Sequence, residues 1–168
     1  MGSLAPFKSR LGGFFLPENR VVFLVDGFNV YHSAKVAAAD LGGASTLWLD
    51  LRSLLSSYIS LFGRDAVLSD IYYFSALARH MKLFDFDSCG TVVLVTGDTD
   101  LAPAVRMAAE VFPEKNICFA FPYKRKNKEL NAITHKSFLI RKERYATHQF
   151  SDPFKGVAGR TINKPATW

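Results

Sequence analysis

The sequence predicts an α/β fold, a three-layer α/β/α sandwich around a mostly parallel central sheet. Three observations lead there. Apolar runs of strand length alternate with helical segments along the chain, the pattern of parallel strands joined by covering helices. Two of the runs, at 20–25 and 91–96, are rich in Val, as in strands buried on both faces. Each ends in a turn that carries a glycine and a carboxylate: V-V-F-L-V-D-G-F-N at 21–29 and V-V-L-V-T-G-D-T-D at 92–100.

The elements follow in order. Residues 1–19 lack periodicity and read as an N-terminal extension, with Pro17 and Asn19 turning the chain into the first strand, 20–25. Residues 26–29 turn again, and the Ala-rich stretch 30–40 forms a helix that stops at Gly42-Gly43. Asp50 suits the N-cap of the next helix. Its apolar face is Leu51, Leu54, Leu55, Tyr58, Ile59 and Phe62, and Gly63 ends it. Strands are expected at 71–74, 91–96, 116–121 and 137–140, with helices at 100–112 and 128–134. The domain therefore spans 20–150. Residues 151–168, with Pro153, Gly156, Gly159 and Pro165, read as a loosely packed tail.

The connection 75–90 is short for a crossover between parallel strands, which takes about a dozen residues or more, usually with a full helix. Met81 to Phe84 looks like a helix whose beginning is missing. Either the connection is unusually tight, or the chain as written joins residues across an absent loop; the second reading is favoured.

Composition excludes several classes. With 49% hydrophobic and 14% aromatic residues, the chain is expected to be globular rather than disordered. No apolar run approaches the roughly 18–20 residues that span a bilayer. The patch at 12–16 is too short for a signal-peptide core, so a cytoplasmic protein without a membrane partner is expected. Phe14, Phe15 and Leu16 suit packing on a second copy, giving a homo-oligomer, or on their own domain. Cys89 and Cys118 lack metal-ligand spacing and read as buried thiols rather than a disulfide.

Charge is unevenly spread. Residues 1–112 hold 9 Lys/Arg against 11 Asp/Glu, a net of −2, and residues 113–168 hold 12 against 4, a net of +8. An acidic site followed by a basic segment suits a polyanion held by Lys and Arg and bridged to carboxylates by metal.

In an open α/β sheet ligands bind beyond the carboxyl ends of the strands, where Asp26, Asp98 and Asp100 are expected. Three carboxylates facing one cleft repel one another unless a cation neutralises them. Oxygen ligands without a His/Cys cluster select Mg²⁺ or Mn²⁺. Such an ion can activate water and stabilise charge on a phosphodiester. Asn29, Thr96 and Thr99 can position phosphate or water at the same rim. Asp26 and Asp98 equally suit turns, and Asp100 a helix cap. The run P-Y-K-R-K-N-K at 122–128 offers Lys124, Arg125, Lys126 and Lys128 to phosphates and Tyr123 to a base. A solvated loop or a localisation signal is the other reading of that run. Arg141, Lys142 and Arg144 either widen the basic surface or form a solvated face. His32, on the helix after Asp26, either reaches the cleft or, as is more common, lies on the surface; His80, His135 and His148 have no triad-like neighbours.

D-G-F-N at 26–29 with T-G-D-T-D at 96–100 resembles the NYN domain, a branch of the PIN-like nuclease superfamily. F-P-Y-K-R-K-N-K-E-L at 121–130 is similar to the end of its LabA-like bacterial members, once called domain of unknown function 88. The likeness covers about 20–153. It implies a PIN-like sandwich and a metal-dependent ribonuclease, with Asp26, Asn29, Asp98 and Asp100 at the positions of the family's acidic and polar site. The family's further acidic residue, between the second and third strands, has no clear counterpart. Asp85 and Asp87 lie nearby, and Asp87 fits better as the turn before the third strand. A non-catalytic RNA-binding module on the same fold is the alternative.

Overall fold

The structure, a computed structural model, describes residues 19–74, 89–134 and 136–168. Five strands form one sheet: β1 (Arg20–Asp26), β2 (Val67–Phe74), β3 (Thr91–Val95), β4 (Asn116–Phe121) and β5 (Lys136–Leu139), in the order β2-β1-β3-β4-β5. Every pairing in it is parallel. The helices are α1 (Gly27–Asp40), α2 (Leu51–Ser56), α3 (Ala102–Val111), α4 (Lys128–Ala132) and α5 (Lys142–Thr147).

Alternation along the central strands splits the core into two layers. Val21, Phe23 and Val25 of β1, Val93 and Val95 of β3, and Cys118 and Ala120 of β4 pack with α1, α2 and Tyr145 of α5. Leu94, Phe119 and Phe121 face the other way, onto Ala102 and Val105 of α3 and Leu130 of α4. The expected three-layer α/β/α architecture is therefore present. Cys89 and Cys118 are free and buried, as the sequence suggested.

Three differences have physical causes. β2 begins at Val67, four residues before the apolar run at 71–74, because its first residues, V-L-S-D, are part-exposed and form no apolar run. Its polar half is held by β1, where Arg20 Nε donates to Ser69 Oγ at 3.2 Å. The helix expected over 51–62 stops at Ser56, and a 3-10 turn follows at Ile59–Phe62. The Ser57 hydroxyl donates to the Leu54 carbonyl at 2.7 Å, competing for a group the helix would use. α5 was read only as a basic stretch. A six-residue helix with one buried side chain, Tyr145, has no periodicity to detect.

Most side chains of 151–168 are exposed, yet the stretch has structure. β6 (Phe154–Lys155) and β7 (Thr161–Ile162) pair antiparallel. The rings of Trp48 and Trp168 meet edge to face at 6.1 Å, so aromatic contacts hold what proline and glycine suggested was loose. Residues 75–88 of the connection 75–90, and Phe14, Phe15 and Leu16, lie outside the described residues. No helix among the described residues is long and apolar enough to cross a membrane.

Candidate functional site

The strand order places the site. β2 lies on one side of β1 and β3 on the other, so the connections diverge between β1 and β3. In open α/β sheets the crevice at the carboxyl end of such a switch point is where ligands bind. Val25 pairs with Val95, which sets the two sequence motifs side by side at that crevice.

One hydroxyl joins them. Thr96 Oγ1 donates to Asp26 Oδ2 at 3.0 Å and accepts from the Asp98 N–H at 3.1 Å. Thr96 is 1% exposed, while Asp26 is half-buried and Asp98 exposed, so both bonds are part-buried. Asp26 also caps α1: its Oδ1 accepts from the Asn29 N–H at 3.0 Å, and its Oδ2 from the Asn29 side-chain amide. Asp98 caps the 3-10 turn Thr99–Leu101, with Oδ1 accepting from the Asp100 N–H at 3.1 Å. The capping expected of Asp100 thus falls to Asp98. Asp100 and Thr99 lie in the first turn, Asp100 exposed and Thr99 half-buried.

These donors are all oxygens, the chemistry that suits a hard cation. Among the described residues no three His, Cys, Asp or Glu side chains are grouped to hold a metal ion, so the three aspartates do not form a closed cage. Mg²⁺ does not need one: it keeps several waters and takes one or two carboxylates together with substrate phosphate. Asp26 and Asp98 are the carboxylates that could serve in that way, Asp26 bonded to the Thr96 hydroxyl and Asp98 to it through its backbone N–H.

The basic run after β4 divides into two groups. A Cβ on Gly97 would lie 2.2 Å from the Arg125 carbonyl oxygen, so only glycine lets the basic loop rest on the turn between Thr96 and Asp98. The loop is clamped from behind. Ser33 Oγ of α1 donates to the Tyr123 carbonyl at 2.8 Å, and the Tyr123 N–H donates to the Tyr145 hydroxyl at 3.2 Å. Tyr145 is fully buried, and that burial pushes its phenol up to about 12. Arg125, Lys126 and Lys128 are exposed.

Tyr123 and Lys124 turn the other way. Both engage Asp40 at the end of α1, the Tyr123 hydroxyl donating at 3.1 Å and the Lys124 ammonium lying 2.6 Å away. The Lys124 hydrogen bond holds the Asp40 carboxyl below its ordinary range. Lys142 donates to the Asp40 carbonyl at 3.0 Å, and Arg144 lies over the Tyr58 ring. Lys142 thus meets the end of α1 beside Lys124, and Arg144 meets the turn after α2. Ser33 and Tyr145 were not singled out by sequence, since neither belongs to a charge run or a motif. His32 packs against Phe28, and His148 Nδ1 lies 2.8 Å from Ser53 Oγ.

No family model matches the chain, and no curated protein does. Among solved structures it is similar to a protein of unknown function from Vibrio parahaemolyticus, at 15% identity and a TM-score of 0.43, over 74% of this chain and 94% of that one.

Proposed function

We propose that the chain is a metal-dependent endoribonuclease that hydrolyses RNA phosphodiester bonds at the β1/β3 crevice. The observation that carries this reading is the Thr96 hydroxyl, which joins the Asp26 carboxylate to the Asp98 turn at the sheet's switch point. The resemblance of D-G-F-N and T-G-D-T-D to the NYN domain points the same way. Asp26 and Asp98 would hold Mg²⁺ or Mn²⁺, with Asp100 acting through water. A bound ion of this kind lowers the pKa of a water and neutralises charge growing on the phosphodiester.

The chain's own residues supply binding and order. Asn29 fixes Asp26 by two hydrogen bonds, so the carboxylate is oriented before substrate arrives. Arg125, Lys126 and Lys128 hold the RNA backbone, and the Gly97 contact keeps their loop against the acidic turn. Tyr123 and Lys124 join them only when released from Asp40.

Incubation with single-stranded RNA, DNA and mononucleotides tests the proposal. RNA cleavage with Mg²⁺ or Mn²⁺ that stops on chelation is expected, and turnover of mononucleotides alone would contradict it. A second reading, a non-catalytic RNA-binding module, draws on the capping geometry: Asp26 already accepts from Asn29 and Thr96, as a purely structural cap does. It predicts RNA binding that survives chelation and an Asp98→Asn change.

A further inference from the structure

A cleft of about 990 Å³ opens between α1, α2 and the edge strand β2, and Gly27 is part of its wall. From its shape and lining we infer that it seats an unpaired base of single-stranded RNA, beside the phosphate placed at Asp26. This rests on the ribonucleic-acid reading above and adds where the base next to that phosphate goes.

The cleft reaches Gly27, the residue that directly follows Asp26. A Cβ at Gly27 would lie 2.2 Å from Tyr73 Cζ. The missing side chain thus lets the Tyr73 ring lie against the first turn of α1. Tyr31, Tyr73 and Trp168 line the cleft and are 45%, 53% and 45% exposed. Flat, partly exposed rings around one opening suit stacking on a base, and they suit any base, because every base has a π-face.

The cleft is lined mainly by apolar side chains, with cations beside its rings. Arg52 lines it, and the Lys35 ammonium lies 5.6 Å from the centre of the Tyr31 ring. Both can meet backbone phosphates flanking a stacked base. The carboxylate in the lining, Asp50, is engaged in capping α2, where it accepts from the Ser53 N–H at 2.9 Å. A base paired in a duplex is not available to the cleft, so single strands are selected.

Trp48 and Trp168 are the chain's 2 tryptophans, so Trp48→Phe leaves Trp168 as a reporter inside the cleft. The experiment titrates that protein with a short single-stranded RNA under chelation, reading tryptophan fluorescence and affinity. Quenching is expected. An otherwise identical abasic RNA is expected to bind about tenfold more weakly without quenching, the range that stacking one base supplies. Tyr31→Leu, at an exposed helix position, and Tyr73→Leu should each weaken the intact RNA about tenfold. Equal affinity for intact and abasic RNA, or no loss in either leucine variant, would overturn the cleft assignment and leave RNA binding standing. No binding of any RNA would remove both.

Discussion

The buried hydroxyl of Thr96 serves two partners, as donor to the Asp26 carboxylate and acceptor from the Asp98 amide. Valine has nearly the same shape but leaves that amide unpaired and takes one donor from the carboxylate. An ordinary hydrogen bond contributes about 0.5–1.5 kcal/mol net, so Thr96→Val should lower stability by that order in chemical denaturation. Tyr145 gives a second prediction, in pH. Its phenol titrates near 10 when unfolded and at about 12 when folded. The folded state therefore holds the proton more tightly. The resulting stabilisation is complete below pH 10 and is lost as pH rises toward about 12. In Tyr145→Phe the alkaline fall in stability between those values should flatten, which denaturation across the range would read. At this scale the sequence revealed the chemistry-bearing groups but not their bonds. Asp26, Asn29, Thr96 and Asp98 stood out because strand ends with carboxylates are rare enough to notice. Ser33 and Tyr145 did not, because what they do depends on a loop ninety and twenty-two residues away in sequence.

The basic loop is the element whose role the structure divides. Arg125 rests on Gly97, while Lys124 is tied to Asp40 on α1. An Asp40→Asn variant loses the charge that holds Lys124 and frees one cation for RNA. Each added phosphate contact on a single strand changes the slope of log K against log salt by about −0.7. The variant should bind RNA more tightly at low salt with a slope steeper by about that amount; an unchanged slope would show that Lys124 stays away from the backbone. Acid should work in the same direction. The Asp40 carboxyl titrates below its ordinary value because of Lys124, so the tether holds above that range and weakens as pH falls through it. Legibility among elements followed burial. β4 was read to the residue because it is an unbroken apolar run. β2 was read by half because its first residues, V-L-S-D, are part-exposed and form no apolar run, and α5 was missed because one buried tyrosine makes no pattern.

Across the whole molecule the fold was the most legible feature. Alternating strands and helices admit few arrangements once connections are parallel and right-handed, and the predicted three layers are those found. Strand order was not legible, and it is what gives the site its meaning, because the crevice between β1 and β3 exists only in the order β2-β1-β3-β4-β5. The charge asymmetry, −2 over residues 1–112 and +8 over 113–168, then acquires a geometry. The basic loop contributed by the second part of the chain lies against the acidic turn contributed by the first. The central claim is that Asp26 and Asp98 together serve an RNA phosphate through a divalent ion. Single-turnover cleavage of one RNA by the parent protein and by Asp98→Asn, both freed of contaminating nuclease and supplied with Mn²⁺, tests it most directly. Loss of one carboxylate at the reacting charge should slow cleavage by about a hundredfold or more; cleavage by Asp98→Asn at the parent rate would contradict it.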